Sequence, residues 1–464
     1  MRPKSFSFWF TIRRLPTILR SPLAYIIEMA QKEEAIINLG SGIIPVYLVN
    51  HPDAANQVLV TEAKKFYRGS AINSLRDFLG NGLLTSNGEQ WQRQRQLVQP
   101  AFRSHAISQY ARAMDVQITR YMSQWEQFLT TGSLKELNMT QDMLILAQNN
   151  ILAALFDIHH HPEAQVLHNA LETIQHTIIS ISLWEAVGTG FGTIFGKKTG
   201  NALYDLLASK QKKTYEEAKT TIQKYIRSLI AARKIDLLER HDNNRMDLFS
   251  QLIRAQQEGK MSEQQLEDEA ITLFVAGFDT TGHTLSWLWY LLSRHPDIQE
   301  NIRSELRTLP HDADAATLAK SSLPYLEATI HEVLRLYPVA WLSLRSPIEK
   351  VQIAGYDLPE KASLVITPYT LHRLPSYWPD PEKFDPTRFL NRDTPDVTGA
   401  YLPFSAGPHT CIGKRLALLE MKMIVARVIQ KYRVEDGNHK ASKPKAMITL
   451  AAHPNVHVKV SAYT

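Results

Sequence analysis

The period of the hydrophobic positions changes along this chain. Ile36 to Leu39 and Ile43 to Val49 are β-rich apolar runs joined by Gly40-Ser41-Gly42, which predicts a hairpin. A second β-rich patch runs from Val351 to Ile366, with turn signals at Ala354-Gly355 and Pro359. The third closes the chain, with Val456, Val458 and Val460 in alternation. Between the first two lies a helix-rich stretch, residues 52–337. The expected class is mainly α with small β-sheets. Strands from distant parts of the chain are expected to share one sheet. Residues 1–464 should therefore form one intertwined body, its β-rich region drawn from 36–50, 351–366 and 445–460.

The strongest helical pattern runs from Ser262 to His295. Ser262 and Gln265 form a capping box, Pro296 marks the end, and the helix should be roughly 50 Å long. Its middle, Ala270 to Phe278, is nearly all apolar and should be buried. There Ala276-Gly277-Phe278-Asp279-Thr280-Thr281 breaks three local rules at once: a glycine mid-helix, a buried acid and buried hydroxyls. Such a cluster marks either a site, with a groove opened by the small residues, or a packing kink. Ala231 to Asp247 is charge-rich and reads as a solvated connection, and His159-His160-His161 before Pro162 as a solvent loop.

Composition narrows the classes. The chain has 464 residues, of which 44% are hydrophobic and 21% charged, so disorder and low complexity are excluded. Lysine plus arginine is 52 and aspartate plus glutamate 46, a net charge of +6, too mild for a nucleic-acid binder. The apolar run from Phe6 to Ile12 stops at Arg13-Arg14, too short for a membrane span or a cleavable signal. The reading is a soluble cytoplasmic protein. Phe8, Trp9 and Phe10 beside Arg13, Arg14 and Arg20 permit a peripheral membrane contact, and packing on the body is the plainer use.

A single cysteine, Cys411, excludes a disulfide framework and a CxxC zinc site. It stands in Phe404-Ser405-Ala406-Gly407-Pro408-His409-Thr410-Cys411-Ile412-Gly413, just before a helical run. Backbone N–H groups and the positive end of the helix dipole favour thiolate there. The loop reads as built to hold S⁻ against something flat and close. Glu332 and Arg335 lie three apart on one helical face, and Arg388 follows in Pro386-Thr387-Arg388-Phe389.

Together these residues resemble the cytochrome P450 family of haem-thiolate monooxygenases. The cysteine loop is similar to FxxGx(H/R)xCxG through Phe404, Gly407, His409, Cys411 and Gly413, and the central helix to (A/G)Gx(D/E)T(T/S) through Ala276, Gly277, Asp279, Thr280 and Thr281. Glu332 and Arg335 match ExxR, Arg388 the meander arginine, and Trp91 and Arg95 WxxxR. His409 stands where arginine is commoner, so its contact would titrate.

The resemblance implies haem b as cofactor, with Cys411 as the axial thiolate on iron. It implies Phe404 packed near the thiolate. Trp91, Arg95, Arg345, His409 and His372 would pair with the propionates. Ala276, Gly277 and Gly413 would border the haem, and Glu332, Arg335 and Arg388 would form a structural ion triad. Asp279 and Thr280 would deliver protons for activation of O2. The pocket implied is Phe274, Phe278, Val339, Ala340, Trp341, Leu342, Thr449 and Leu450, mostly apolar, which suggests a fatty acid, a terpenoid or a similar lipophilic substrate. The chain ends soon after Val460, so no fused reductase is expected: NAD(P)H-derived electrons would come through a separate ferredoxin or flavodoxin with its reductase, to a monomer. Lys414, Arg415 and Arg93 would form the basic dock. Two other functions carry the same ligand: an isomerase, dehydratase or peroxide user, often without the acid–threonine pair, and a non-catalytic haem sensor, which needs an output module.

Overall fold

The computed structural model describes Pro3 and residues 13–14, 16–18, 20–40, 45–69, 72–129, 135–159, 163–178, 197–239, 247–310, 313–390 and 399–463. Residues 6–12, 41–44, 160–162 and 243–244, which the sequence reading singled out, lie outside these. The chain divides into two compact units, one of residues 1–69, 99–159 and 276–464, the other of 70–98 and 160–275. The fold is mainly α with small separate sheets, as expected.

All the described strands belong to the first unit. Strands β1 (Ile36–Asn38), β2 (Val46–Val49) and β3 (Phe66–Tyr67) come from early in the chain, and β5 (Ser343–Pro347) and β8 (Ser363–Ile366) from late in it. They form one five-stranded sheet, ordered β1-β2-β8-β5-β3. β1 and β2 pair antiparallel as the expected hairpin, and β2 runs parallel to β8 with Val46 opposite Ser363 and Val49 opposite Ile366.

Side chains alternate across a strand, so an unbroken apolar run means burial on both faces. Ile36, Tyr47, Val49, Leu364 and Ile366 enter one core with Val58, Leu59 and Leu402. Ile37, Leu48 and Val365 enter another with Leu23, Tyr25, Ile26 and Met29 of the helix Pro22–Ala30.

The closing strand departs from expectation. β12 (His457–Ala462) pairs with β4 (Lys135–Asn138) and β9 (Tyr432–Asp436) in a sheet of its own. Its alternating Val458 and Val460 bury one face and leave Lys459 exposed, the pattern of an antiparallel strand with one side in solvent. β6 (Val351–Ile353) with β7 (Tyr356–Leu358), and β10 (Lys443–Ala446) with β11 (Leu450–His453), make two separate hairpins.

The second unit holds the helices Gly88–Val98, Lys197–Glu239 and Leu248–Gln257. Residues 231–239, expected as a surface connection, are the last turns of the 43-residue helix Lys197–Glu239. Arg233 explains part of this: buried, it pairs with Asp247 at 2.9 Å and donates to Ser250 Oγ at 2.9 Å. Among the described residues no helix is long and apolar enough to cross a membrane.

Fully buried in the first unit, Glu332 and Arg335 face each other one turn apart on the helix Pro324–Leu336. Arg335 Nε donates to Glu332 Oε2 at 2.7 Å and Nη2 to Oε1 at 2.8 Å. The rest of the guanidinium donates to the carbonyls of His372, Pro381 and Lys383. Arg388 Nε stands 3.4 Å from Glu332 Oε1, which also accepts the Asp385 N–H at 2.9 Å. Removing Glu332 strands a guanidinium in the core. Glu332→Ala should therefore cost roughly 3–5 kcal/mol, seen as a large drop in melting temperature and soluble yield; an unchanged melting curve would contradict a structural role.

Candidate active site

Cys411 sits on a loop whose shape is set by its own backbone. Its N–H donates to Phe404 O at 2.9 Å, closing the loop, and Thr410 N–H and Oγ1 both donate to Gly407 O. Ser405 and Gly407 have φ of +59° and +68°. At Gly407 the requirement is double, because a Cβ there would lie 1.9 Å from Leu59 O. The helix Lys414–Lys431 starts three residues beyond the cysteine, with Gly413 as its N-cap, so its N-terminal amides lie beside an exposed thiol. Lys414 Nζ stands 5.8 Å from the centre of the Phe404 ring.

The central helix, Glu263–Leu292, begins at the expected capping box. Ser262 Oγ accepts the Gln265 N–H at 3.1 Å, and Gln265 Oε1 accepts the Ser262 N–H at 2.8 Å. It runs unbroken through residues 276–281. The hydroxyls in this stretch are satisfied by bonds back onto the helix: Thr280 to Ala276 O at 2.9 Å, Thr281 to Gly277 O at 3.1 Å, and Thr284 to Thr280 O at 2.8 Å. Gly277 faces a neighbouring helix. A Cβ there would lie 2.8 Å from Ile151 Cδ1, so its small size is spent on close packing with the helix Met139–Phe156. Gly282 does the same against Leu144. Asp279 is buried, with its Oδ1 3.6 Å from His283 Nε2 one turn on, while Thr280 is partly exposed. His283 escaped the sequence reading, although an acid and a histidine four apart on one helix face was a legible signal.

The remaining expected residues divide. His372 is fully buried, and both ring nitrogens are used: Nδ1 meets Arg335 O at 3.1 Å and Nε2 accepts the Leu402 N–H at 2.7 Å. Burial holds its pKa down at about 3, so the ring is neutral and has no N–H left for a propionate. Its work is to join the ExxR helix to the strand of chain entering the cysteine loop. Arg345, on β5, is 8% exposed, and it donates to the neutral oxygens Ser343 Oγ and Leu344 O. His409 is half-buried on the loop. Trp91 and Arg95 lie one turn apart, half-buried, on Gly88–Val98 in the second unit, and Phe274 there meets Tyr225 ring to ring at 6.3 Å. Val339, Phe278 and Thr449 are buried, and Ala340 is exposed. Trp341, Leu342 and Leu450 pack into the core that holds the N-terminal helix.

Two observations test whether haem suits these residues. Arg345 is a buried cation with no carboxylate partner among the described residues, and burial alone lowers its pKa to about 10, so a buried anion beside it would be favoured. At Gly413 a Cβ would meet Cys411 Sγ and Phe102 Cε1 only at ordinary contact, 3.9 Å each, so the protein's own packing does not demand glycine there. A flat group laid over the sulfur would. The residues fit.

A family model described as cytochrome P450 matches residues 3–460. The chain belongs to the cytochrome P450 family. It is thus an oxidoreductase of the monooxygenase class, of a family that binds haem iron through a cysteine thiolate. It is 30% identical to cyclooctatin synthase of Streptomyces melanosporofaciens over 94% of this chain and 90% of that protein. Cyclooctat-9-en-7-ol 5-monooxygenase of the same organism is 28% identical over 89% and 85%. Pentalenene oxygenase of Streptomyces avermitilis is 26% identical over 96% and 94%.

One buried pair beside the P450 cysteine loop was not foreseen. Glu420, on the helix Lys414–Lys431, accepts from Asn150 Nδ2 at 2.9 Å, and both residues are fully buried. The atoms left over, Glu420 Oε2 and Asn150 Oδ1, are both acceptors unless the carboxyl keeps its proton. Burial pushes its pKa up to about 8, so at neutral pH it does. A raised carboxyl pKa adds stability in full below the ordinary 4.5, and that stability is lost as pH rises through about 8. Glu420→Gln should therefore melt progressively higher relative to the parent as pH climbs from about 5 to about 8; parallel melting curves across that range would show that the carboxyl is already ionised. Cys411→Ser should abolish the red-shifted Soret band of the ferrous–CO form, and retention of that band would exclude Cys411 as ligand.

Proposed function

We propose that this P450 is a single catalytic domain that inserts one oxygen atom from O2 into an unactivated carbon of a terpenoid, with NAD(P)H-derived electrons delivered by a separate ferredoxin or flavodoxin and its reductase. The observation that carries the chemistry is the exposed Cys411 on a backbone-fixed loop at a helix N-terminus. The terpenoid reading is supported by relatives named as a cyclooctatin synthase, a cyclooctat-9-en-7-ol monooxygenase and a pentalenene oxygenase, each aligned over most of this chain. It agrees with the apolar character of Phe278, Val339 and Leu450.

Haem held by Cys411 would supply the activation of dioxygen. Arg345 would pair with a propionate, a role supported by its burial without a carboxylate partner among the described residues; Trp91, Arg95 and His409 are the further partners that the family resemblance implies. Thr280 commits its hydroxyl hydrogen to Ala276 O, which leaves the oxygen's lone pairs to accept from a water at the partly exposed face. Asp279, buried next to His283, would resupply protons to that water. Lys414 and Arg415 are exposed just beyond the cysteine loop and suit an acidic electron donor.

The test is turnover of purified holoprotein with a ferredoxin or flavodoxin system against pentalenene, cyclooctat-9-en-7-ol and a saturated fatty acid. Oxygenated product from a terpenoid is expected. Thr280→Ala should keep haem and substrate binding while sending reducing equivalents to hydrogen peroxide, and Asp279→Asn should slow turnover more than it uncouples. Full rate and coupling in both variants, or product from the fatty acid alone, would overturn the reading.

A further inference from the structure

The tip of the β10–β11 hairpin is held more tightly than a surface hairpin needs. Trp287 Nε1 donates to Leu450 O at 2.9 Å, Leu450 N–H donates to Val339 O at 3.0 Å, and Trp341 Nε1 donates to Met447 O at 2.9 Å. Met447 N–H in turn closes the tip on Thr449 O at 2.9 Å. Both indoles thus spend their single donor on the main chain of one short segment, residues 447–450.

Trp287 is itself fixed from several sides. It is fully buried, and its ring lies face to face with Tyr337, centroids 3.8 Å apart and planes 2° apart. Tyr290 meets it edge-on at 5.5 Å, and Arg294 covers Tyr290 at 3.9 Å. On the central helix Trp287 follows Thr280 by seven residues. Seven residues are about two turns, so the two share one helix face about 10 Å apart along the axis. The helix that carries Asp279 and Thr280 therefore also grips the hairpin tip that carries Thr449 and Leu450. A buried indole N–H donates somewhere; here the acceptor is a main-chain oxygen of this tip, Leu450 O.

We infer that Trp287 is a positioning residue: through Leu450 O it sets the separation between the hairpin tip and the Thr280 face of the helix, and so decides which carbon of a bound substrate meets the oxidant. The inference rests on the monooxygenase reading for its consequence, though not for the clamp itself.

Trp289 provides a matched control. It lies on the same helix, is equally buried, and spends its N–H on Met143 Sδ at 3.2 Å, away from the hairpin. The experiment compares Trp287→Phe with Trp289→Phe in the haem-loaded protein. Amide hydrogen exchange is followed over residues 447–453, and the positional isomers formed from pentalenene are resolved. A lost neutral hydrogen bond corresponds to roughly a two- to tenfold change in an equilibrium. Trp287→Phe should speed exchange at the tip by about that factor, spread the product over more positions and raise KM more than it lowers kcat. Trp289→Phe should leave tip exchange and product pattern at parent values. Equal exchange at the tip in both variants would overturn the clamp. Faster exchange at the tip with an unchanged product pattern would overturn the role in specificity. If the parent oxidises neither pentalenene nor cyclooctat-9-en-7-ol, the terpenoid reading fails on its own, and exchange decides the clamp without it.

Discussion

A guanidinium with no access to water organises the first compact unit. Arg335 must satisfy its donors inside the protein, and it does so with the Glu332 carboxylate and three main-chain carbonyls from residues 372–383. Those carbonyls belong to irregular chain, which lacks ladder partners of its own. The arginine therefore replaces regular secondary structure as the thing that fixes this stretch. His372 extends the arrangement: its ring passes from Arg335 O to the Leu402 N–H, two residues before Phe404 begins the cysteine loop. Tyr401 ties back as well, donating to His331 O at 3.0 Å. The loop that presents Cys411 is thus referenced to the ExxR helix by the side chains of His372 and Tyr401.

The same economy recurs at the central helix. Polar groups in its buried middle are satisfied locally by bonds from hydroxyls to carbonyls four residues back. Gly277 and Gly282 let the helix Met139–Phe156 come near. Asn150 on that neighbour then meets Glu420, which follows the cysteine by nine residues. A neutral carboxyl in this place links the helix behind the cysteine to the packing around the acid–threonine segment, without putting a net charge into the core.

How much was legible follows from how local each feature is. The hairpin at 36–49, the capping box at Ser262 and the sheet shared by strands more than 290 residues apart were readable, because caps and two-sided apolar runs are written in adjacent residues. The loop motif around Cys411 was readable for the same reason: Gly407 answers to its own φ and to one neighbouring carbonyl. The length of the helix Lys197–Glu239 was missed because its charged end looked solvated, while Arg233 is buried and paired with Asp247, beyond the helix end.

The sequence by itself determined the family, the thiol, the ion triad and the hairpin at 36–49, since each depends on residue type at fixed short spacing; β3, β4, β5 and β9 lay outside the β-rich runs it showed. Tertiary structure alone decided what the ambiguous side chains do. Gly277 could open a groove or admit a neighbour, and only the position of Ile151 chooses. His372 could face a propionate or the main chain, and the positions of Arg335 O and Leu402 N choose. Trp287 could fill space or grip a hairpin, and Leu450 O, 163 residues away in sequence, chooses. A hydrogen bond needs a partner within about 3 Å and in line, and no local pattern states which distant atom the folded chain will bring there.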